Sequence, residues 1–292
     1  MTSSPADGSP SLLVRLRGLR PSLSPAEDRV AEQVLADPGA ASDLTISELA
    51  VAASTSETTV LRFCKRLGLR GYPQLRLALA AAGAGPRSAT APSTDISAGD
   101  SVDDVITKVA FADASAVEET AQTIDRDALS ATAAAIAAAG RVDVYGIGAS
   151  ALVGMDLQQK LHRIGSMCFS WNDPHIALTS ATLLRPGDVA IGISHSGTTT
   201  ETIEALALAR ERGATTVALT NFPLSRLAAD ADHVLATAAR ESSLRSGATA
   251  SRIAALTVVD CLYIAVAQHD LPRAEEAVEG TRRAVAGHHV RH

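Results

Sequence analysis

Three hydroxyl side chains, those of Ser194, Ser196 and Thr199, lie in a short turn between an apolar segment and an amphipathic segment. This order predicts a buried strand over 189–193, then the turn, then a helix. The first N–H groups of a helix lack intrahelical partners, and the helix dipole favours negative charge near them. The turn, with Gly197 in its middle, therefore suits a phosphate or another anion. Ser196 would also serve as a simple N-cap without any ligand, so both interpretations stay open.

A second turn of small residues, 146–150, follows the predicted strand Val142–Tyr145. Gly148 lets the backbone approach a ligand closely, and Ser150 supplies another hydroxyl. The turn is not a complete dinucleotide-binding fingerprint, because the third glycine of that motif is absent. In open α/β sheets, ligands bind beyond the carboxyl ends of the strands. We therefore expect both turns to line one anion-binding site.

Several titratable residues lie near these turns, and each has more than one interpretation. Glu241 follows the last predicted strand, where it could be a catalytic carboxylate, an acceptor for a sugar hydroxyl, or a solvated loop residue. His195 lies inside the hydroxyl-rich turn and is either a ligand contact or structural. Asp173 and His175 follow 167–170 in a predicted loop, and a turn with a capping Asp explains them better than a site does. General base catalysis depends on geometry, which a sequence does not contain.

The elements that must position these residues form an α/β pattern from about residue 102 onward. Four strands alternate with helical segments, which indicates a parallel sheet covered on both faces. They are Val142–Tyr145, Val189–Ile193, Thr216–Thr220 and His233–Ala236, with further helices predicted over 102–123, 127–139 and 251–268. We assign residues 102–270 to this domain and 271–292 to a C-terminal tail.

The N-terminal part, residues 12–85, is predicted to be all-α. Capping boxes begin helices at Ser24 and Thr45, and Ser56 caps a third helix that ends near Gly68. The last two of these helices have the proportions of a helix-turn-helix, whose second helix enters the major groove of DNA. The side chains expected at the groove are those of Ser56, Glu57, Thr58, Thr59 and Arg62, with Lys65 and Arg66 placed for backbone phosphates or left solvated.

The charge distribution supports a DNA-binding module, although the 292-residue chain has a formal net charge of -6. Residues 1–87 carry ten basic and eight acidic side chains, against sixteen and twenty-four in the remainder, and 62–87 contains no acid. A local basic patch on an acidic protein fits a small DNA-binding domain attached to a larger one. Helix-turn-helix packing also occurs without DNA, so that alternative stays open. Residues 1–11 are expected to be disordered, and 86–101 reads as a linker.

The cysteines and the absence of targeting signals indicate a cytoplasmic protein. Cys64, Cys168 and Cys261 are odd in number and far apart, which predicts reduced thiols and no metal site. The N-terminus lacks the basic and apolar regions of a secretory signal. No apolar run approaches the roughly 20 residues of a membrane span, so we expect no membrane partner. No cofactor is expected either.

The motifs taken together resemble those of the RpiR/MurR-type bacterial transcriptional regulators, which join an N-terminal helix-turn-helix to a C-terminal sugar isomerase (SIS) domain. The resemblance covers about 23–267 and rests on five segments in this order: 45–50, 56–68 with 71–72, 146–150, 193–202 and 251–260. It implies an α/β domain with a parallel sheet flanked by helices in a flavodoxin-like sandwich. Departures are Ser54, where the family usually has glycine, Thr58, where it has a small residue, and His195, at a variable position.

The resemblance implies a regulator whose affinity for operator DNA is controlled by a phosphosugar. The expected ligand-binding residues are Gly148, Ser150, Ser194, Ser196, Gly197, Thr199 and Glu241. SIS domains usually dimerise, so a homodimer or higher oligomer would present two recognition helices to two half-sites. The alternative is an SIS-type enzyme, an isomerase or lyase of an aminosugar phosphate, for which Glu241 and His195 are the candidate bases. N-acetylglucosamine, muramic acid, glucose, ribose and gluconate phosphates all stay open as ligands.

Overall fold

The computed structural model describes residues 11–84, 95–241 and 249–288. The chain divides into two compact units, residues 1–111 and 112–292. Nearly all of the segment expected to be disordered, and most of the predicted linker, lie outside the described residues. Ser11, the last residue of that first segment, accepts a hydrogen bond from the Val14 amide and caps the first helix.

The described part of the first unit is helical, as predicted. Its helices are α1 (Leu12–Leu19), α2 (Pro25–Ala36), α3 (Pro38–Asp43), α4 (Ile46–Ala52), α5 (Glu57–Arg66), α6 (Tyr72–Ala84) and the first half of α7 (Val102–Thr123). Both predicted capping boxes form, at Ser24 with Glu27 and at Thr45 with Glu48. The short α3 was not predicted. It exists because Asp37 ends α2 and also caps α3 through the Ala40 amide.

The turn between α4 and α5 is held in a left-handed conformation at Ser54, whose φ is 49°. Such a conformation costs a non-glycine residue on the order of 1 kcal/mol. The Arg29 guanidinium donates to the carbonyl oxygens of Ala53 and Ser54 at 3.0 and 2.9 Å, which fixes the turn from α2. Val60, Phe63 and Leu67, the inner face predicted for α5, are fully buried in the core of this unit.

The second unit is an α/β sandwich around five parallel strands. Its elements after α7 are α8 (Arg126–Ala138), β1 (Val142–Gly146), α9 (Ala149–Arg163), β2 (Cys168–Trp171), α10 (Pro174–Ala181), β3 (Val189–Ile193), α11 (Thr200–Glu211), β4 (Thr215–Thr220), α12 (Arg226–Ala229), β5 (His233–Ala236), α13 (Ala250–Gln268) and α14 (Leu271–Val285). The strand order is β2-β1-β3-β4-β5. Four strands match the prediction closely, whereas the edge strand β2 was not assigned from the sequence. The predicted tail contains α14.

The strand order changes direction between β1 and β3, since the chain leaves β1 toward β2 and then returns to β1's other side. In open α/β sheets this switch point forms a crevice at the carboxyl ends of the strands, and ligands bind there. Both strands are buried along their whole length, and Gly146 at the end of β1 pairs in register with Ile193 at the end of β3. The sheet therefore brings the two predicted turns to neighbouring positions.

A buried carboxylate in β1, that of Asp143, connects this strand to its neighbours, and the sequence analysis did not predict this network. Asp143 is fully buried and accepts hydrogen bonds from Arg141, Ser180 and Trp171, the shortest at 2.6 Å from the Ser180 hydroxyl. A buried charge is tolerated only when it is paired and hydrogen-bonded. The same carboxylate, together with burial, raises the pKa of Tyr145, whose hydroxyl lies 3.3 Å away. This network ties α10 and β2 to β1.

One described helix, α13, is long and apolar enough to cross a membrane by those two measures alone. The absence of a membrane partner stays a prediction. The helix carries Val258, Val259 and Leu262 into the main core of the second unit and packs against α8 and α9. Burial on that face is what the central helix of a packed domain requires.

Candidate functional site

The hydroxyl-rich turn after β3 forms a compact cluster of side-chain and backbone hydrogen bonds. Ser194 is buried, and its Oγ lies 2.9 Å from Thr199 Oγ1 and accepts from the Gly197 amide at 3.1 Å. Ser196 is exposed, with its Oγ 2.8 Å from Thr198 Oγ1. The hydroxyls of Ser194, Ser196 and Thr199 thus gather within one turn at the mouth of the crevice.

The helix that follows this turn begins without a side-chain cap. Its N-cap residue is Thr199, which makes no capping hydrogen bond, because its hydroxyl is directed to Ser194 instead. Ser196 was one candidate for a ligand-independent N-cap. Its hydroxyl accepts from the Thr198 amide and lies outside α11, so that interpretation is wrong. The first N–H groups of α11 are therefore available to an anion.

Gly197 shapes the turn because no side chain fits there. Its φ is +65°, and a Cβ would lie 2.0 Å from Ser225 Oγ. Its carbonyl accepts from the Leu227 amide at 3.0 Å, which seats the turn against the start of α12. Its role in the fold is therefore to let the turn pack closely, whatever the ligand.

The turn after β1 also leads into a helix that has no side-chain cap. Gly148 is the N-cap residue of α9 with φ 61°, and no side chain caps that helix. Gly146 leaves room for a tight return of the chain, since a Cβ there would meet the Ser150 backbone at 3.0 Å. Ser150 lies half-buried in the first turn of α9. Two uncapped helix N-termini, those of α9 and α11, thus begin at the switch point.

A small cavity of about 30 Å³ adjoins the strand ends, which is room for about one water molecule. Its polar lining includes two residues that the sequence analysis singled out, Ser150 and His195. It also includes four that the analysis did not place at the site, Thr220, Thr237, Ser251 and Arg252. The rule that ligands bind at strand ends could have found Thr220 and Thr237. Nothing local in the sequence indicates Arg252, which arrives from the first turn of α13.

His195 and Glu241 meet at the edge of this site. His195 Nε2 lies 3.9 Å from Glu241 Oε2, and the imidazole packs edge-on against Phe222 at 5.7 Å. Burial lowers the pKa of His195 below its ordinary value, and the Glu241 carboxylate opposes this shift only in part. The imidazole is therefore neutral at neutral pH and able to accept or donate one hydrogen bond.

The other titratable candidates lie elsewhere. Asp173 caps α10 by accepting from the Ile176 amide at 3.0 Å, so the capping interpretation is correct. His175 is exposed in the first turn of α10. Among the described residues, no cluster of His, Cys, Asp and Glu has the geometry of a metal site.

The candidate nucleic-acid interface is the exposed face of α5. Ser56 caps the helix through the Thr59 amide, and Glu57, at its start, accepts from the Ser47 hydroxyl at 2.5 Å. The predicted groove residues Ser56, Glu57, Thr58 and Arg62 are exposed, as are Lys65 and Arg66. Thr59 is a correction. It is 6% exposed, with its hydroxyl 3.1 Å from Ser56 Oγ, because position three of the helix turns inward toward α2 and α4.

Comparison with protein families matches both units. Residues 11–85 match the helix-turn-helix domain of the rpiR family, and residues 135–265 match the SIS domain. An uncharacterised helix-turn-helix transcriptional regulator of Caldanaerobacter subterraneus subsp. tengcongensis is 40% identical over 257 residues, which is 88% of this chain and 90% of that protein. The regulator RpiR of Escherichia coli is 29% identical, covering 91% of this chain and 89% of that protein.

The solved structures that are similar to this chain include the following two. The NanR protein of Vibrio vulnificus in complex with ManNAc-6P is 32% identical with a TM-score of 0.61, and the match covers 96% of this chain and 100% of that one. The sugar isomerase domain of an RpiR transcription factor from Sphaerobacter thermophilus is 30% identical with a TM-score of 0.57, covering 61% of this chain and 98% of that domain.

Proposed function

The chain belongs to the RpiR family of transcriptional regulators, which combine a helix-turn-helix with an SIS domain, and we propose that a phosphosugar bound at the switch point controls its affinity for operator DNA. One observation carries the proposal. The hydroxyls of Ser194, Ser196 and Thr199 converge with two uncapped helix N-termini where β1 and β3 end. These hydroxyls and the first amides of α11 match the three acceptor oxygens of a phosphate. At the start of α9, the Ser150 and Ala151 amides donate to the carbonyls of Ile147 and Gly148.

The similar NanR structure supports the class of ligand, since that protein is bound to an aminosugar phosphate. In this chain, Ser150 and the neutral imidazole of His195 line the adjoining cavity, and Glu241 lies beside His195. A carboxylate opposes a bound phosphate. We therefore place Glu241 at the sugar, as an acceptor for hydroxyl or amide hydrogens.

Helix α7 offers a route by which the ligand site can influence DNA binding. Near its C-terminal end, the buried Thr120 hydroxyl accepts from the Ala238 amide at 3.0 Å, and Glu119 pairs with Arg240 at 2.9 Å. The segment 237–241, which these contacts hold, carries Glu241. In the sequence, α7 is the element that joins this unit to the preceding helix-turn-helix. A ligand that shifts this segment would thus act on the helix that precedes it in sequence.

The exposed face of α5 supports operator binding. Arg62, Lys65 and Arg66 supply cations for bases and phosphates, and Ser56 and Thr58 supply small hydroxyls at the start of the helix. Two copies joined through their SIS domains would present two such helices to a palindrome-like site. Exposed Leu152 and Met155 on α9 are available for that association.

The first experiment tests operator control directly. A thermal-shift screen of phosphosugars identifies a ligand, because a molecule that binds only the native state stabilises it by mass action. The double variant Ser194→Ala with Ser196→Ala should weaken that ligand by about tenfold or more, since each lost hydroxyl leaves part of the anion unsatisfied. Binding to the DNA upstream of the protein's own gene should be unchanged without ligand and should no longer respond to it.

The control for that experiment is Thr281→Ala, which removes an exposed hydroxyl from α14. It should leave ligand affinity and operator response as in the wild type. A double variant that still responds to the phosphosugar would refute the proposed site.

A catalytic SIS domain is the second candidate, because His195 and Glu241 form a base-like pair at the site. Turnover of a phosphosugar that disappears in Glu241→Gln would support it. Binding without turnover across the same panel supports the regulator.

A further inference from the structure

Arg252 is a cation that the fold places at the strand ends, and none of the described residues pairs with it. It lies half-buried in the first turn of α13 and lines the same cavity as Ser150 and His195. Its guanidinium makes no ion pair or hydrogen bond within the described part of the chain. An Arg side chain has five donors in a rigid fork, which suits oxyanions.

The position is electrostatically unfavourable in the absence of a ligand. The N-terminus of a helix carries the positive end of the dipole, so a cation in the first turn is repelled there. Partial burial removes water from the charge, and no anion in residues 11–84, 95–241 or 249–288 pairs with it in exchange. An arginine that destabilises the ligand-free fold in this way is explained most simply by a bound anion that stabilises its charge.

The surroundings of Arg252 are polar and converge on the phosphate turn. Ser251 is buried beside it, and Thr220 at the end of β4 and Thr237 just after β5 line the same cavity. His195, which belongs to the hydroxyl-rich turn, forms another part of the wall. The cavity is too small for a sugar, so a ligand on the strand ends would extend only an oxyanion toward this lining.

We propose that Arg252 binds an oxyanion of the effector and supplies the full positive charge that the hydroxyl and amide donors of the turns lack. This inference rests on the proposed function and adds a residue and a chemical requirement to it. The oxyanion is the phosphate of the effector, or a carboxylate if the effector is a phosphorylated sugar acid. In either case the site selects an anion by charge as well as by hydrogen bonds.

The test compares Arg252→Gln and Arg252→Lys with the wild type in phosphate-free buffer. The probes are inorganic phosphate, glucose 6-phosphate and 6-phosphogluconate, and the readout is the dissociation constant from thermal shift or calorimetry. We expect Arg252→Gln to weaken binding by about tenfold, because charged hydrogen bonds are lost, and Arg252→Lys to be intermediate, because it keeps charge but not the fork. Equal losses for all three probes identify the phosphate as the anion, and a loss for 6-phosphogluconate alone identifies the carboxylate.

Ligand-free stability separates a binding role from a structural one. If Arg252 serves the ligand, Arg252→Gln removes an unfavourable charge and melts at the same temperature as the wild type or higher. If Arg252 instead supports the fold, the variant melts lower. Arg212→Gln, an exposed arginine at the end of α11, is the matched control and should change neither quantity.

The Ser194→Ala with Ser196→Ala variant distinguishes this inference from the proposed function. Loss of anion binding in that variant together with wild-type binding in Arg252→Gln would overturn the role of Arg252 and leave the phosphate site intact. A wild-type protein that binds none of the three probes would overturn both.

Discussion

The starts of helices α5 and α11 look alike in sequence and behave differently in the structure. Both follow a turn rich in Ser and Thr. The Ser56 hydroxyl caps α5 by accepting from the Thr59 amide, whereas the Thr199 hydroxyl at the start of α11 forms its hydrogen bond with the Ser194 hydroxyl. The N-terminus of α5 therefore has a side-chain cap, and the N-terminus of α11 has none. A hydroxyl that caps a helix and a hydroxyl in a candidate ligand site can thus belong to the same residue type. Their hydrogen-bond partners distinguish them.

The same contrast extends across the second unit. Asp125 and Asp173 cap α8 and α10, and Asp270 caps α14. The helices that leave the switch point, α9 and α11, begin at Gly148 and Thr199 without a side-chain cap. Helices α12 and α13 also begin without a side-chain cap, at Ser225 and Thr249. The missing caps of α9 and α11 therefore point to a ligand only together with their place at the switch point, where the topology predicts one.

The largest expected effect tests whether the open turn is nevertheless rigidly packed. Gly197→Ala should destabilise the second unit by about 3 kcal/mol, since it adds the cost of a left-handed residue to that of overpacking against Ser225. Urea unfolding followed by the fluorescence of Trp171, the one tryptophan of the chain, measures this.

Gly165→Ala is the matched control for that variant. Its φ is +85° and nothing lies within 4 Å of the added Cβ, so only the conformational cost of about 1 kcal/mol remains. Equal losses in the two variants would show that the contact between the turn and α12 contributes nothing.

A smaller loss of stability is expected when the side-chain cap of α5 is removed. Ser56→Ala should cost about 1 kcal/mol, the usual value for an N-cap, and should raise hydrogen exchange at the Thr59 amide, which loses its side-chain acceptor and keeps only the Ser56 carbonyl. Ser47→Ala, which removes only an exposed hydrogen bond to Glu57, is the control and should change exchange at Thr59 little. An Ser56→Ala protein as stable as the wild type would mean that the α5 cap is not needed.

At the start of α11, which has no side-chain cap, a substitution should change ligand affinity more than stability. Thr199→Ala removes no cap, so its cost in stability should stay below about 0.5 kcal/mol, while the affinity for inorganic phosphate falls severalfold. Trp171 fluorescence in urea and phosphate titration measure the two quantities. A Thr199→Ala protein that is clearly destabilised yet binds phosphate normally would remove the distinction between the two helix starts.

The sequence predicted most of the elements because their signals are local. The strands Val189–Ile193 and His233–Ala236 have the predicted bounds, since each is an apolar run between turn residues. The edge strand β2 and the short α3 were missed. β2 has four residues without alternation, and α3 depends on Asp37 ending one helix while starting another.

The site was predictable only where residues follow their own strand. Ser194 and Ser150 are found from the rule that ligands bind at strand ends. The same rule finds Thr237, which directly follows β5. Arg252 reaches the cavity from the first turn of α13 through tertiary packing, which no local pattern encodes. Thr59 was placed at the DNA face wrongly, because its inward direction depends on how α5 packs.

The smallest expected effect concerns the protonation of His195, and it tests whether the open site tolerates a second positive charge. Burial lowers the pKa of His195 from its ordinary value of 6.5, so between the lowered pKa and 6.5 the unfolded chain binds more protons than the folded one. Stability then rises with pH across that window and is lost as pH falls through it. Removing the imidazole in His195→Gln should flatten this part of the profile, measured as the difference between wild-type and variant melting temperatures from pH 7 to pH 5. Since Glu241 favours the protonated form and opposes burial, Glu241→Gln should steepen the wild-type slope. A profile that stays unchanged in both variants would mean that the imidazole is solvated and that the edge of the site is wetter than its contacts indicate.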